Sequence, residues 1–165
     1  MTLQNIKLPQ IVISNIYKNC LVDLSDEDKK PVLKDDQITF LGGNNRHILL
    51  LVNNFDVPFL PDAQLNFLLV ILSACKLNMA DIAIVNLNKT DSKEHKNIPE
   101  FFKASVVMLF GIEATALSLP FKIPHFQIQS FKNQKYLFAP SLEVIENDVN
   151  QKKKLWEVLK NIFSI

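Results

Sequence analysis

Glycine is scarce in this 165-residue chain, which has three: Gly42, Gly43 and Gly111. They do not form the closely spaced glycine fingerprint of a dinucleotide site. Gly42-Gly43 also precedes a strand-like run, whereas a phosphate loop follows one. Cysteine is scarcer still, with Cys20 and Cys75 only. No CxxC and no Cys/His pair at ligand spacing is present, which argues against a zinc site. Both thiols sit in apolar, helix-patterned surroundings, as buried cysteines of a reducing compartment do. Charge of one sign is lacking too: net charge is +1. No global field draws the chain to nucleic acid, since tight non-specific binding needs several phosphates neutralised. A local basic patch is left open. The longest apolar run, Phe67 to Leu72, is too short to span a bilayer. The first residues, MTLQNIKLPQ, lack the basic start, apolar stretch and cleavage site of a signal peptide. A cytoplasmic protein without membrane association is the expectation.

What is present is ordinary globular composition, 48% hydrophobic and 21% charged. The length suits one domain with a sizeable core. Residues 8–22 carry Ile11, Val12, Ile16 and Cys20 near helical spacing, and 23–36 is a charged, proline-broken loop. We therefore expect one domain over 1–165, with residues 1–36 as an N-terminal helix and loop and 37–165 as the core. Ile38, Phe40 and Leu41 end in Gly-Gly-Asn-Asn, a turn signal. Ile48 to Val52 is continuously apolar, as in a parallel strand buried on both faces. The pattern predicts that the first strand is its antiparallel hairpin partner, nearer the edge.

A helix is predicted over about 61–77, apolar on almost all sides and so deeply buried or covered. Asp81 to Leu87 and Val106 to Phe110 are further buried-type strands, with a short helix at 98–103 between them. Ile112 to Leu117 suits a helical turn. His125 to Phe131 and Gln134 to Phe138 suggest a hairpin across KNQK. Residues 141–163 are helical with a break near Asn147-Asp148, capped by Ser141 and Asp148. Strands alternating with helices imply an α/β fold in three layers, α/β/α, around a central mostly parallel sheet.

Candidate chemistry is thin. His47, His95 and His125 are scattered, without a partner at catalytic or ligand spacing. Ser141 follows a strand, but Pro140 precedes it rather than the glycine of a nucleophile elbow, so helix capping is favoured. Asp56, in the loop after the first core strand, is the best lone carboxylate, and no second group accompanies it. Lys152-Lys153-Lys154 has the character of a solvated face, and Trp156 continues the apolar face toward the core.

The order of these segments resembles the psi subunit of bacterial DNA polymerase III and, behind it, the uracil-DNA glycosylase fold. QITFLGGNNRHILLLVNN is similar to psi's edge strand, turn and central strand. LPDAQLNFLLVILSACKLNMADIAIVNL resembles the following helix and strand. FAPSLEVIENDVNQKKKLWEVLKNIF resembles the closing turn, short helix, break and Leu-Trp helix. The likeness runs from about Gln37 onward and implies a glycosylase-like fold. The glycosylase family keeps a polar or acidic residue after its first core strand. After its last strand it keeps a histidine in His-Pro-Ser.

Here the first loop is Asn53-Asn54-Phe55-Asp56, without the family's Gly-Gln-Asp-Pro order, and the second turn is Ala139-Pro140-Ser141. Alanine offers neither hydrogen bond nor charge to a developing anion. These seven residues make a candidate vestigial cleft, and the spacing predicts that the two turns meet there. The resemblance implies a non-catalytic adaptor without cofactor or metal. Its partners would be a clamp loader, facing residues 1–24, and a chi-like subunit. Direct nucleic-acid contact is left open. The alternatives are a base-excision enzyme using Asp56 with Asn53 or Asn54, its base stacked on Phe55 or Phe59, and a small-ligand binder at the strand ends.

Overall fold

A computed structural model describes residues 38–122 and 124–165. The helix expected at 8–22, the loop at 23–36, Cys20 and the clamp-loader-facing element at 1–24 lie outside the described residues. Within them the chain is mixed α/β, with six strands in one mixed sheet and four helices. The strands are β1 (Leu41–Gly42), β2 (Ile48–Val52), β3 (Ile82–Asn86), β4 (Val106–Phe110), β5 (Ile128–Phe131) and β6 (Gln134–Ala139). The helices are α1 (Asp62–Ala74), α2 (Ile98–Phe101), α3 (Leu142–Asn147) and α4 (Val149–Phe163).

The sheet order is β1-β3-β2-β4-β6-β5. The four inner strands are parallel, and the two edge strands are antiparallel to their neighbours. Every residue of β2, β3 and β4 is buried. That is why these runs are continuously apolar rather than alternating. Alternate residues feed two cores. Ile48, Leu50, Ile84, Met108 and Leu137 pack with Leu68 and Leu72 of α1, Ile145 of α3 and Leu155 and Leu159 of α4. Leu49, Leu51, Val85, Leu109 and Phe138 pack instead against Ile98 of α2 and the 3-10 segments Leu87–Lys89 and Ala114–Leu117. One face thus carries three α-helices, and the other a four-residue helix with 3-10 turns and loops.

The predicted hairpin between β1 and β2 does not form. Leu41 and Gly42 pair with Ile84 and Ala83 of β3. The reason is the turn that comes next. The amides of Gly43, Asn44, Asn45 and Arg46 donate to the carbonyls of Met79, Ile82, Ala80 and Asp81, at 2.8–3.0 Å. Arg46 also pairs with Asp81 at 3.7 Å. Tied to the approach to β3, the chain crosses beneath it and enters β2 on its other side. Such contact leaves no room for side chains. A Cβ on Gly42, at φ +114°, would stand 2.3 Å from the Ile82 carbonyl oxygen.

Helix α1 stops at Ala74, earlier than expected, in a turn lacking the usual glycine. Leu77 N–H donates to Leu72 O and Lys76 N–H to Ser73 O, with Lys76 left-handed at φ +57°. This is the Schellman pattern, with a lysine where glycine is customary. Nor is α1 buried all round: Leu68 and Leu72 face the core, whereas Leu69 and Val70 are exposed. The β5–β6 hairpin forms across Lys132-Asn133, both at positive φ. Its first strand starts at Ile128, so His125 lies in a turn rather than a strand. Ser141 and Asp148 cap α3 and α4 as anticipated. Trp156 is a correction: 36% exposed, it lies at the margin of the core that holds Leu155 and Leu159 rather than within it. At 100° per residue it falls on the flank of the helix, about 100° from Leu155 and about 60° from Leu159, so part of its indole stays outside. No described helix is long and apolar enough to cross a membrane.

Gly42→Ala is expected to lower stability by about 1–3 kcal/mol, through backbone strain and displacement of the Gly43–Arg46 turn. A urea titration unchanged from wild type would contradict this. A second expectation concerns Cys75, whose thiol burial pushes above its ordinary range. The neutral form is favoured by the fold, so its contribution is complete below the unfolded thiol's pKa. It is lost as pH rises through the folded one. Native protein should therefore react with a thiol reagent at pH 8 far more slowly than urea-unfolded protein, counting the Cys75 adduct by peptide mapping.

Candidate functional site

The carboxyl ends of β2, β3, β4 and β6 lie along one edge, the customary position of sites in open α/β sheets. Three loops and a turn emerge there. The first loop, after β2, is held by β3. Asn86, the last residue of β3, is 1% exposed and is the buried polar residue of the described core. Its amide nitrogen donates to Asn54 O at 2.8 Å and to Val57 O and Pro58 O at 3.1 Å. Its Oδ1 accepts from the amides of Asn54 at 3.0 Å and Asn88 at 3.2 Å. Every partner is backbone, so one side chain satisfies a loop that prolines keep from satisfying itself. Asn88 also donates to Asn53 Oδ1, and Lys89 Nζ to Phe55 O at 2.9 Å.

The turn after β6 is held by β4 in a comparable way. Gly111 N–H donates to Ala139 O at 2.9 Å. Gly111, at φ +66°, approaches Ser141 so closely that an added Cβ would lie 3.1 Å from the serine Cβ. Between these two tied pairs runs the segment Gly111–Glu113, with a cleft on each side. One, about 390 Å³, is lined by Gly111–Thr115, Lys122, His125, Phe138 and Pro140. The other, about 320 Å³, is lined by Asn53, Leu87, Asn88, His95, Gly111–Glu113 and Ala116.

The seven candidate residues are thereby distributed. Asn53 lines the smaller cleft and Pro140 the larger, with Gly111–Glu113 common to both. Asn54 serves the loop through its backbone. Phe55 is 74% exposed. Asp56 is exposed and lines neither cleft. Ala139 is buried at 1% in the sheet core. Ser141 Oγ accepts from Val144 N–H as the helix cap.

Groups not expected at the site do reach it. His95 Nε2 lies 3.1 Å from Leu87 O and 3.2 Å from Thr90 O. Two carbonyl acceptors require a proton on Nε2, which leaves Nδ1 as the ring's free nitrogen. Glu113, its Oε2 accepting from Thr115 Oγ1 at 3.3 Å, lines both clefts. Lys122 and His125 supply basic groups across the larger one. This arrangement suits a small polar ligand. Among the described residues no serine, threonine or cysteine is hydrogen-bonded to an imidazole, the pairing an activated nucleophile uses. Asn86 had a signal in the sequence, as the one amide in the otherwise apolar run IAIVNL. His95 had none, because it arrives from a polar loop whose path depends on tertiary packing.

No protein-family model and no curated protein matches the chain.

Asn86→Ala should lower stability by about 2–3 kcal/mol, since the loop carbonyls and amides lose their partner away from water. It should also speed hydrogen exchange at Asn54 and Asn88 selectively. Exchange rates there equal to wild type would show that the loop is held by something else.

Proposed function

We propose that the chain is a non-catalytic adaptor of the psi-subunit kind, a protein-binding component of the replication clamp-loader machinery with a glycosylase-like α/β/α framework. The observation that carries this reading is the turn after β6. Where a glycosylase keeps its histidine, this chain has Ala139, buried in the core, then Pro140 at the cleft wall. Ser141 is engaged in capping and Asp56 stands outside both clefts. Neither turn offers a base beside a place where a substrate would sit. The four parallel inner strands, with three helices packed on one face, support the framework. The order of strand, turn, helix and closing Leu-Trp helix supports the psi-like assignment. In this reading the retained fold presents surfaces to a clamp loader and a chi-like subunit.

One observation favours a second reading, base excision or small-ligand binding. The larger cleft gathers Glu113, Lys122 and His125 at the strand ends. A base flipped into it would meet polar groups and the Phe138 side of the sheet.

Tagged chain purified from its native cell is expected to bring down clamp-loader subunits and a chi-like protein. A stable complex containing no replication protein would overturn the adaptor reading. Incubation with uracil-containing and damaged-base DNA is expected to give no abasic product, and strand cleavage after alkali would establish the second reading instead.

A further inference from the structure

Helix α4 carries a face that neither the core nor the strand-end clefts use. Leu155, Leu159 and Ile162 are buried against the sheet. At 100° per residue, Val149, Lys153, Trp156 and Lys160 fall on one stripe about 60° wide that flanks the buried side, with Trp156 at the edge nearest the core. Val149 is 62% exposed and Trp156 36%, and both lysines are exposed. Trp156 therefore sits on the surface with a lysine about one turn before it and another one turn after. The helix has four lysines, Lys152, Lys153, Lys154 and Lys160, against the single carboxylate Glu157. The ion pairs among the described residues are Arg46–Asp81 and Lys132–Glu100, so none of these lysines is neutralised within 4 Å. Lys152 alone is engaged, its Nζ 5.4 Å from the centroid of the Phe67 ring on α1.

We infer that this face of α4 binds single-stranded nucleic acid. The part of the indole that stays exposed, 36%, is apolar surface open to a partner, and the flanking charge decides what kind. Lysines one turn before and one turn after an exposed indole match a stacked base whose neighbouring phosphates reach Lys153 and Lys160. The seven-residue separation of those lysines is about 10 Å along the axis, which leaves the indole between them open to one base. A duplex fits poorly, because its bases are already stacked on each other and present no free π-face. The net charge of +1 makes the contact local and the binding salt-sensitive rather than tight. The inference is independent of the adaptor reading, since α4's outer face lies apart from both clefts.

Trp156 is the chain's one tryptophan, so its own fluorescence reports the contact. Titration of the full chain with oligothymidylate at low salt is expected to quench that fluorescence saturably. With a dye-labelled oligonucleotide, Trp156→Leu should weaken binding roughly 5- to 150-fold. Lys153→Gln with Lys160→Gln should reduce the slope of log affinity against log salt by about 1.4, from two phosphate contacts. The lysine variants lie on the surface and should keep the wild-type melting temperature, so they decide the matter even if Trp156→Leu folds poorly. Absence of quenching, equal affinity for duplex, or affinity and salt slope unchanged in the lysine variants would overturn the proposal. So would quenching by polyglutamate but not by oligothymidylate, which would point to an acidic protein segment.

Discussion

The cleft edge of the molecule depends on one buried amide. A loop with Pro58 and Pro61 cannot form a regular ladder, yet it must cross the end of a fully buried sheet. Where its carbonyls and amides turn inward toward the buried end of β3, they need partners from the protein. Asn86 supplies both donor and acceptor from a single planar group, in contact with Asn54, Val57, Pro58 and Asn88. A carboxylate would accept without donating, and an aliphatic side chain would do neither. This contact sets the path from β2 into α1. It also places Asn53 at the cleft wall and Phe55 in solvent.

Scarcity of glycine shapes the rest of the backbone. Gly42 and Gly43 stand where a Cβ has no room, against Ile82 O and Ala80 O, and Gly111 where one would crowd Ser141. Other left-handed corners are taken by residues with side chains, among them Asn44, Lys76, Lys103, Lys132 and Asn133. Each such corner costs of order 1–2 kcal/mol relative to a relaxed conformation, less for asparagine. The helix-ending lysines recover part of that cost, because their amides and those of the next residues satisfy the last carbonyls. Side chains at these corners also place positive charge at the carboxyl ends of α1 and α2, where the helix dipole favours it.

The two sheet faces differ in a way that bears on function. Three helices seal one face, while 3-10 turns and loops cover the other and frame the clefts. In the adaptor proposed above, the helical side would be the one to meet partners. Exposed Leu69 and Val70 on α1, with Val149 and Trp156 on α4, show that this side is not polar throughout. The charge on α4 distinguishes its face from that of α1, and with it the chemistry of what each would contact.

By itself the sequence determined the features that local pattern controls. Continuous apolar runs marked β2, β3 and β4 as buried strands, and serine and aspartate before helical periods marked the caps at Ser141 and Asp148. Ala139-Pro140-Ser141 was legible as a strand end followed by a capping serine. Partner identity was not legible, because periodicity records how much of a residue is buried but not against what. Thus β1 suited a hairpin with β2 until the Gly43–Arg46 turn bound the approach to β3. Trp156 suited a core helix until packing assigned that side to Leu155 and Leu159. The gathering of His95, Glu113, Lys122 and His125 along the strand ends was likewise decided only by the tertiary structure, since those residues come from separate loops whose meeting depends on the order of the strands between them.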